Sequence, residues 1–201
     1  MKNYSIKILL LVMVMCSLCG CVMKKNDNKI NNMKNILMVI APRDFRDEEF
    51  NIPKEIFNGN GHKITVGSIQ SGEAIGANGT KTKIDIVASD VDVNQYDAVV
   101  FVGGPGMQQI LDDDSLKMLA QKFNVSGKLV SAICVAPAIL AKAGLLKNKK
   151  ATGFTDVKSD IENNGGKYID SPVAIDGNII TANGPKASNE FAKEIIKYLQ
   201  K

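Results

Sequence analysis

Leu129-Val130-Ser131-Ala132-Ile133-Cys134-Val135-Ala136-Pro137 decides the reading of this 201-residue chain. Lys128 to Ile133 is a short apolar run of the kind that forms a buried strand, and Cys134 stands where it ends. Pro137 falls in the first turn of a following helix, where a missing N–H costs little. That helix runs to about Ala143 and is capped by Gly144. A nucleophile on so tight a strand-to-helix turn needs small residues two positions before and after it, and Ala132 and Ala136 meet this as variants of the glycines in G-x-S-x-G. The partial positive charge of a helix N-terminus favours a thiolate there, which would make the sulfur nucleophilic and oxidisable. The competing reading of Cys134 is a buried packing cysteine.

Outward from this elbow, short apolar runs alternate with amphipathic stretches, the pattern of βαβ units around a mostly parallel sheet. Ile36–Ile40 reads as a strand covered on both faces, followed by a helix from about Asp47 to Asn58, ended by Gly59-Asn60-Gly61, and a strand at Lys63–Val66. Ser71 to Thr80 is a turn-rich excursion with small antiparallel strands. Asp97–Val102 is the next buried strand, closing on Gly103-Gly104-Pro105-Gly106, and a helix from about Asp114 to Phe123 leads back through Gly127 to the elbow. Beyond it come a short strand at Ala151–Phe154 and a helix near Val157–Asn163. Asp176-Gly177 then turns Val173–Ile175 back onto Ile179–Thr181, before a last helix over Ser188–Leu199. The order predicts one α/β domain, residues 35–201, folded as a three-layer sandwich.

In an open α/β sheet, ligands bind outside the carboxyl ends of the strands, where loops and helix N-termini converge. Glu49, Gly103-Gly104 and Cys134 all fall at that edge. Gly103-Gly104 offers backbone N–H groups for an oxyanion hole, or is a tight turn and nothing more. Glu49 shares its first helical turn with Asp47 and Glu48, and position alone does not choose among them.

Ala132 to Pro137, Val102-Gly103-Gly104-Pro105-Gly106, and Phe45-Arg46-Asp47-Glu48-Glu49 with Pro53 together resemble the ThiJ/PfpI family, which includes the Parkinson-disease protein deglycase and PfpI-type peptidases. The resemblance covers about Ile36 to Leu199. It implies a flavodoxin-like, class I glutamine amidotransferase-like fold with a nucleophile elbow. It also implies Cys134 and Glu49 as the catalytic pair, because the family's glutamate lies four residues before a helix proline and Glu49 stands four before Pro53. Gly104 and Val135 are implied as the backbone N–H groups facing a substrate oxygen, with Gly103, Phe154 and Asn183 lining the site. Family members often have arginine in place of Asn183. A homo-oligomer is expected on the same ground.

The sequence departs from the family in histidine. Peptidase-like members carry it directly after the nucleophile, where this chain has Val135, and deglycase-like members after the next strand, where it has Phe154. The single histidine, His62, is expected as a solvated turn residue at the opposite sheet edge. Acylation without an imidazole loses a proton carrier worth about 10²–10⁴ in rate, so a cysteine peptidase is the weakest expectation. Attack on a reactive aldehyde or glycated group, a glyoxalase- or deglycase-like activity with Glu49 moving the proton, is the leading one. A cysteine redox sensor or protective binding protein, with Cys134 oxidised to a sulfinate held by Glu49, is the alternative.

At the N-terminus, Lys2 and Lys7 precede the apolar run Ile8–Met15, too short for a stable span but suited to a signal-peptide core. Leu18-Cys19-Gly20-Cys21 resembles a lipobox. Residues 1–20 then read as a signal peptide, Cys21 as the lipidation site, and residues 21–34 as a polar tether to an extracytoplasmic membrane surface. A start at Met33 would instead leave a cytoplasmic protein. Cleavage before Cys21 makes Cys134 the only free thiol, which with one histidine excludes disulfide scaffolds and structural zinc. Loss of the two lysines lowers the formal charge from +4 to +2. That balance does not suggest nucleic acid, and the glycine turn lacks dinucleotide spacing, so no metal or organic cofactor is expected.

Overall fold

The structure, a computed structural model, describes residues 33–201. Cys21, the signal segment and most of the tether lie outside the described residues. Residues 34–201 form one compact unit.

Five principal strands run parallel: β1 (Asn35–Val39), β3 (Lys63–Ser68), β7 (Ala98–Phe101), β8 (Leu129–Ile133) and β12 (Ile179–Ala182). Across the sheet their order is β3-β1-β7-β8-β12, the doubly wound flavodoxin-like order. β6 (Ile86–Val87) adds a parallel edge beyond β3, and β11 (Val173–Asp176) pairs antiparallel with β12 at the other edge, through the Asp176-Gly177 hairpin. The central strands are continuous apolar runs because both faces are covered: Ile36 to Val39, Ala98 to Phe101 and Val130 to Ile133 are all buried. The single polar residue in β8, Ser131, is accommodated by donating its hydroxyl to the Val99 carbonyl oxygen at 2.8 Å.

Helix α1 (Asp47–Gly59) packs against α6 (Ser188–Leu199), while α3 (Asp114–Val125) packs against the neighbouring α4 (Pro137–Lys142), giving a helical layer on each side of the sheet. Asp47, Glu48 and Glu49 fill the first turn of α1, where carboxylates complement the helix dipole. The excursion after β3 forms a small second sheet, in which β2 (Arg43–Phe45) pairs with β4 (Gly72–Gly76) and β4 with β5 (Lys81–Ile84). Asp47 ties this sheet to α1. Its buried carboxylate accepts the backbone N–H of Asn78 at 2.7 Å and of Thr80 at 2.9 Å. Burial works to raise its pKa, but the bonds from Thr80 and Asn78 prevail and hold it below the usual carboxylate range.

Two local expectations are corrected. The strand expected over Ala151–Phe154 is only β9 (Lys150–Ala151), paired with β10 (Lys167–Tyr168); Thr152 N–H turns instead to the Thr181 hydroxyl at 2.9 Å. His62 is not solvated. It is buried at the amino end of β3, where its Nδ1 accepts the Lys34 N–H at 3.3 Å, and burial lowers its pKa, with help from the charge of Lys34.

Candidate active site around Cys134

Cys134 sits at φ 64°, a left-handed conformation that costs a residue with a side chain roughly 1–3 kcal/mol. Hydrogen bonds on both sides hold it there: its N–H donates to the Ala182 carbonyl at 2.9 Å, and its own carbonyl accepts the Phe154 N–H at 2.7 Å. The elbow is thus clamped between the end of β12 and the loop after β9. Ala132 and Ala136 are fully buried against it, as the steric argument requires.

The sequence-predicted residues converge on this point from three strand ends. Glu49, fully buried, reaches over from the first turn of α1. Its Oε2 accepts the Gly103 N–H at 3.0 Å, while Oε1 is buried and has no hydrogen-bond partner among the described residues. The Cys134 thiol is a further polar neighbour of this carboxyl, and the charges of Arg46 and Glu48 act on it as well. The backbone N–H groups of Gly104 and Val135 are near enough to the sulfur to favour its thiolate form. Only Gly104 of the two glycines therefore faces the reacting atom, since the Gly103 N–H is committed to Glu49. Gly103 is nonetheless required sterically. A Cβ there would stand 2.6 Å from Cys134 Cβ, 2.7 Å from Glu49 Oε2 and 2.9 Å from the Ile133 carbonyl.

Burial pushes the Glu49 carboxyl up to about 7, against the opposing pull of the thiol, the Gly103 N–H and the charge of Arg46. Burial also pushes the Cys134 thiol up, to about 12, reinforced by the negative charge and hydrogen bonding of Glu49. The N–H groups of Gly104 and Val135 work the other way and are outweighed. The expected thiolate-favouring helix terminus is overridden because α4 is short and the thiol faces an acid in a desolvated site.

The sulfur opens onto a cavity of about 350 Å³ whose walls include Arg46, Gly104, Gln108, Val135, Phe154 and Asp156. Asn183 lies apart from it, in an adjoining cavity of about 390 Å³ with Tyr168 and Asp170, and Phe154 and Pro185 border both. Arg46, Gln108 and Asp156 were missed as wall residues; for Arg46 the signal available was its place after β1, at the edge where the strand ends converge. No group of three or more His, Cys, Asp or Glu side chains suited to a metal occurs among the described residues. His62 is at the opposite sheet edge.

Comparison with known proteins places this geometry. The chain is 39% identical over 206 residues to the uncharacterized protein MJ0967 of Methanocaldococcus jannaschii, across 100% of this chain and 98% of that one. It is 29% identical to the deglycase PfpI of Pyrococcus furiosus, across 82% of this chain and 99% of the relative. Among solved structures, a ThiJ/PfpI domain protein from Brachyspira murdochii superposes with a TM-score of 0.82 at 36% identity, covering 84% of this chain and 97% of that one. The family model described as the DJ-1/PfpI family matches residues 34–198, and that span includes Glu49, the glycine turn and the Cys134 elbow. The chain belongs to the DJ-1/PfpI family.

Proposed function

We propose that this protein is a cysteine-dependent enzyme acting on reactive aldehydes or on the groups they form with proteins, a glyoxalase- or deglycase-like activity carried by Cys134 and Glu49. The observation that carries the reading is geometric: a fully buried Glu49 carboxyl, fixed by the Gly103 N–H, is packed against the Cys134 elbow, and Cys134 opens onto a cavity. A base poised near neutrality is matched to removing the thiol proton as the sulfur attacks. For an α-oxoaldehyde such as methylglyoxal, the Cys134 sulfur adds to the aldehyde carbon while its proton passes to Glu49. A carbon–sulfur bond forms and the carbonyl oxygen, protonated in turn, becomes the hydroxyl of a hemithioacetal. Transfer of the hydrogen from that carbon to the neighbouring ketone carbon, through an enediol, gives the thioester of a 2-hydroxy acid. Water then cleaves the thioester and restores the thiol. The aldehyde carbon is oxidised and the ketone carbon reduced within one molecule, so no external oxidant is needed. The N–H groups of Gly104 and Val135 are the donors available to charge developing beside the sulfur.

The names of relatives support this reading, since the Pyrococcus furiosus protein and that of Thermococcus kodakarensis are both called deglycases. Peptide hydrolysis is disfavoured by the absence of an imidazole at positions 135 and 154. Purified protein should consume methylglyoxal, with the activity lost in Cys134→Ser and strongly reduced in Glu49→Gln. Consumption unaffected by Cys134→Ser would sink the proposal. The tether proposed at Cys21 is tested by metabolic labelling with a fatty acid, which Cys21→Ser should abolish. A homo-oligomer, proposed from the family alone, is tested by light scattering.

A further inference from the structure

Arg46 is the one cation among the described residues in the wall of the Cys134 cavity. Its Nε is buried and has no hydrogen-bond partner, and among the described residues no carboxylate forms an ion pair with it. The backbone fixes its place: Arg46 N–H donates to the Gly103 carbonyl at 3.0 Å, and its carbonyl accepts the Phe50 N–H at 3.2 Å. The main chain of Arg46 is therefore tied both to the glycine turn and to the helix that carries Glu49. Its charge reaches Glu49, since it opposes the rise of that carboxyl's pKa. The other charge on the wall, Asp156, is exposed and screened by water, whereas Arg46 is partly withdrawn from it. A guanidinium that shares a cavity wall with a nucleophile and makes no ion pair among the described residues is matched, through its terminal nitrogens, to the forked geometry of a carboxylate.

We infer that Arg46 makes the Cys134 cavity selective for electrophiles that carry a carboxylate near the reacting carbon, so that the preferred aldehyde is an α-oxoaldehyde with an anionic tail. A cavity of about 350 Å³ has room for such a tail beyond a three-carbon aldehyde. The identity of the aldehyde rests on the proposed function; the preference for an anion does not.

The two are separated by probing the thiol with electrophiles of nearly equal shape, iodoacetate and iodoacetamide. In both cases a carbon–sulfur bond forms at Cys134, the carbon–iodine bond breaks, iodide leaves with the electron pair, and the thiol proton passes to Glu49 or water. Normalised to the neutral thiol 2-mercaptoethanol, the ratio of iodoacetate to iodoacetamide rates at Cys134 should be raised about ten-fold or more, as a hydrogen-bonded charge pair implies. Arg46→Met should remove the enhancement, Arg46→Lys should retain part of it, and added salt should lower it. A normalised ratio near one, or a raised ratio that Arg46→Met leaves unchanged, overturns the inference. Should Arg46→Met not fold, the wild-type ratio and its salt dependence decide the matter. In a second arm, a five-carbon α-oxoaldehyde ending in a carboxylate should exceed its neutral five-carbon counterpart in kcat/KM, and Arg46→Met should reduce that advantage about ten-fold. If neither aldehyde is consumed while the alkylation ratio stays high, the aldehyde reading fails and the anion preference stands. Equal consumption of both aldehydes with a flat alkylation ratio overturns the anion preference and leaves the aldehyde reading intact.

Discussion

Replacing Glu49 by Gln should make the folded protein progressively more stable than the wild type as the pH rises, by a total of about 3 kcal/mol. Burial moves this carboxyl from 4.5 to about 7 on folding, and each unit of such a shift corresponds to about 1.4 kcal/mol. Below about 4.5 both the folded and unfolded chains hold the proton, and no penalty exists. Between about 4.5 and 7 the unfolded chain releases it while the folded chain keeps it, so the wild type loses stability with rising pH. Above about 7 the folded chain must hold a desolvated carboxylate, and the loss levels off. Glutamine has the same shape, can still accept the Gly103 N–H, and does not titrate. Urea unfolding of both proteins, followed by circular dichroism between about pH 4 and pH 8, measures the difference with all other titrations common to the two. A difference that stays constant across that range would refute the claim that the Glu49 carboxyl is held protonated by burial.

Other replacements probe the same site sterically and chemically. Gly103→Ala drives a methyl group against the Ile133 carbonyl, Cys134 and Glu49, and should cost about 1–3 kcal/mol in chemical denaturation while disabling aldehyde consumption. Asp47→Ala leaves the Asn78 and Thr80 N–H groups without their acceptor and should lower stability by about 1–2 kcal/mol, read as a shift in the urea midpoint. Phe154→His puts an imidazole at a 43% exposed position whose backbone is bonded to Cys134; turnover of methylglyoxal should rise by up to about 10², and no increase would show that Glu49 already does the proton transfer unaided.

The strand ends that build the site were legible in the sequence because parallel strands buried on both faces leave continuous apolar runs, and Ile36–Ile40, Asp97–Val102 and Leu129–Ile133 are such runs. The elbow was legible for a steric reason, in the small residues flanking Cys134. What the sequence did not disclose depends on desolvation and on distances across the sheet. The proximity of Cys134 to a helix start suggested a lowered thiol pKa, but burial of the thiol, reinforced by Glu49 opposite it, reverses the sign. The two glycines looked equivalent in sequence, and only the packing of Glu49 beneath Gly103 divides their roles. His62 between Gly61 and Lys63 looked like a solvated turn, and the acceptor it provides for the Lys34 N–H across the strand edge has no local signature.

These electrostatics also fix how the rate should depend on pH. A site run by a thiolate would gain activity as its cysteine ionised, and an imidazole paired with it would add a second titration. Here the thiol stays protonated to about 12, so its ionisation lies far outside the working range. The group that changes state near neutrality is Glu49, at about 7. As a carboxylate it can accept the thiol proton during attack; as an acid it cannot. The kcat/KM for an aldehyde should therefore rise along a single limb with a midpoint near 7 and then level off. In Glu49→Gln that limb should vanish, leaving a low rate that climbs only at strongly alkaline pH, where the sulfur ionises without help. Burial raises the thiol first and the charge of Glu49 adds to it, so the alkaline limb of Glu49→Gln should begin at lower pH than free ionisation of the wild-type thiol would allow. A bell-shaped profile, or a limb that survives Glu49→Gln, would mean that another group carries the proton.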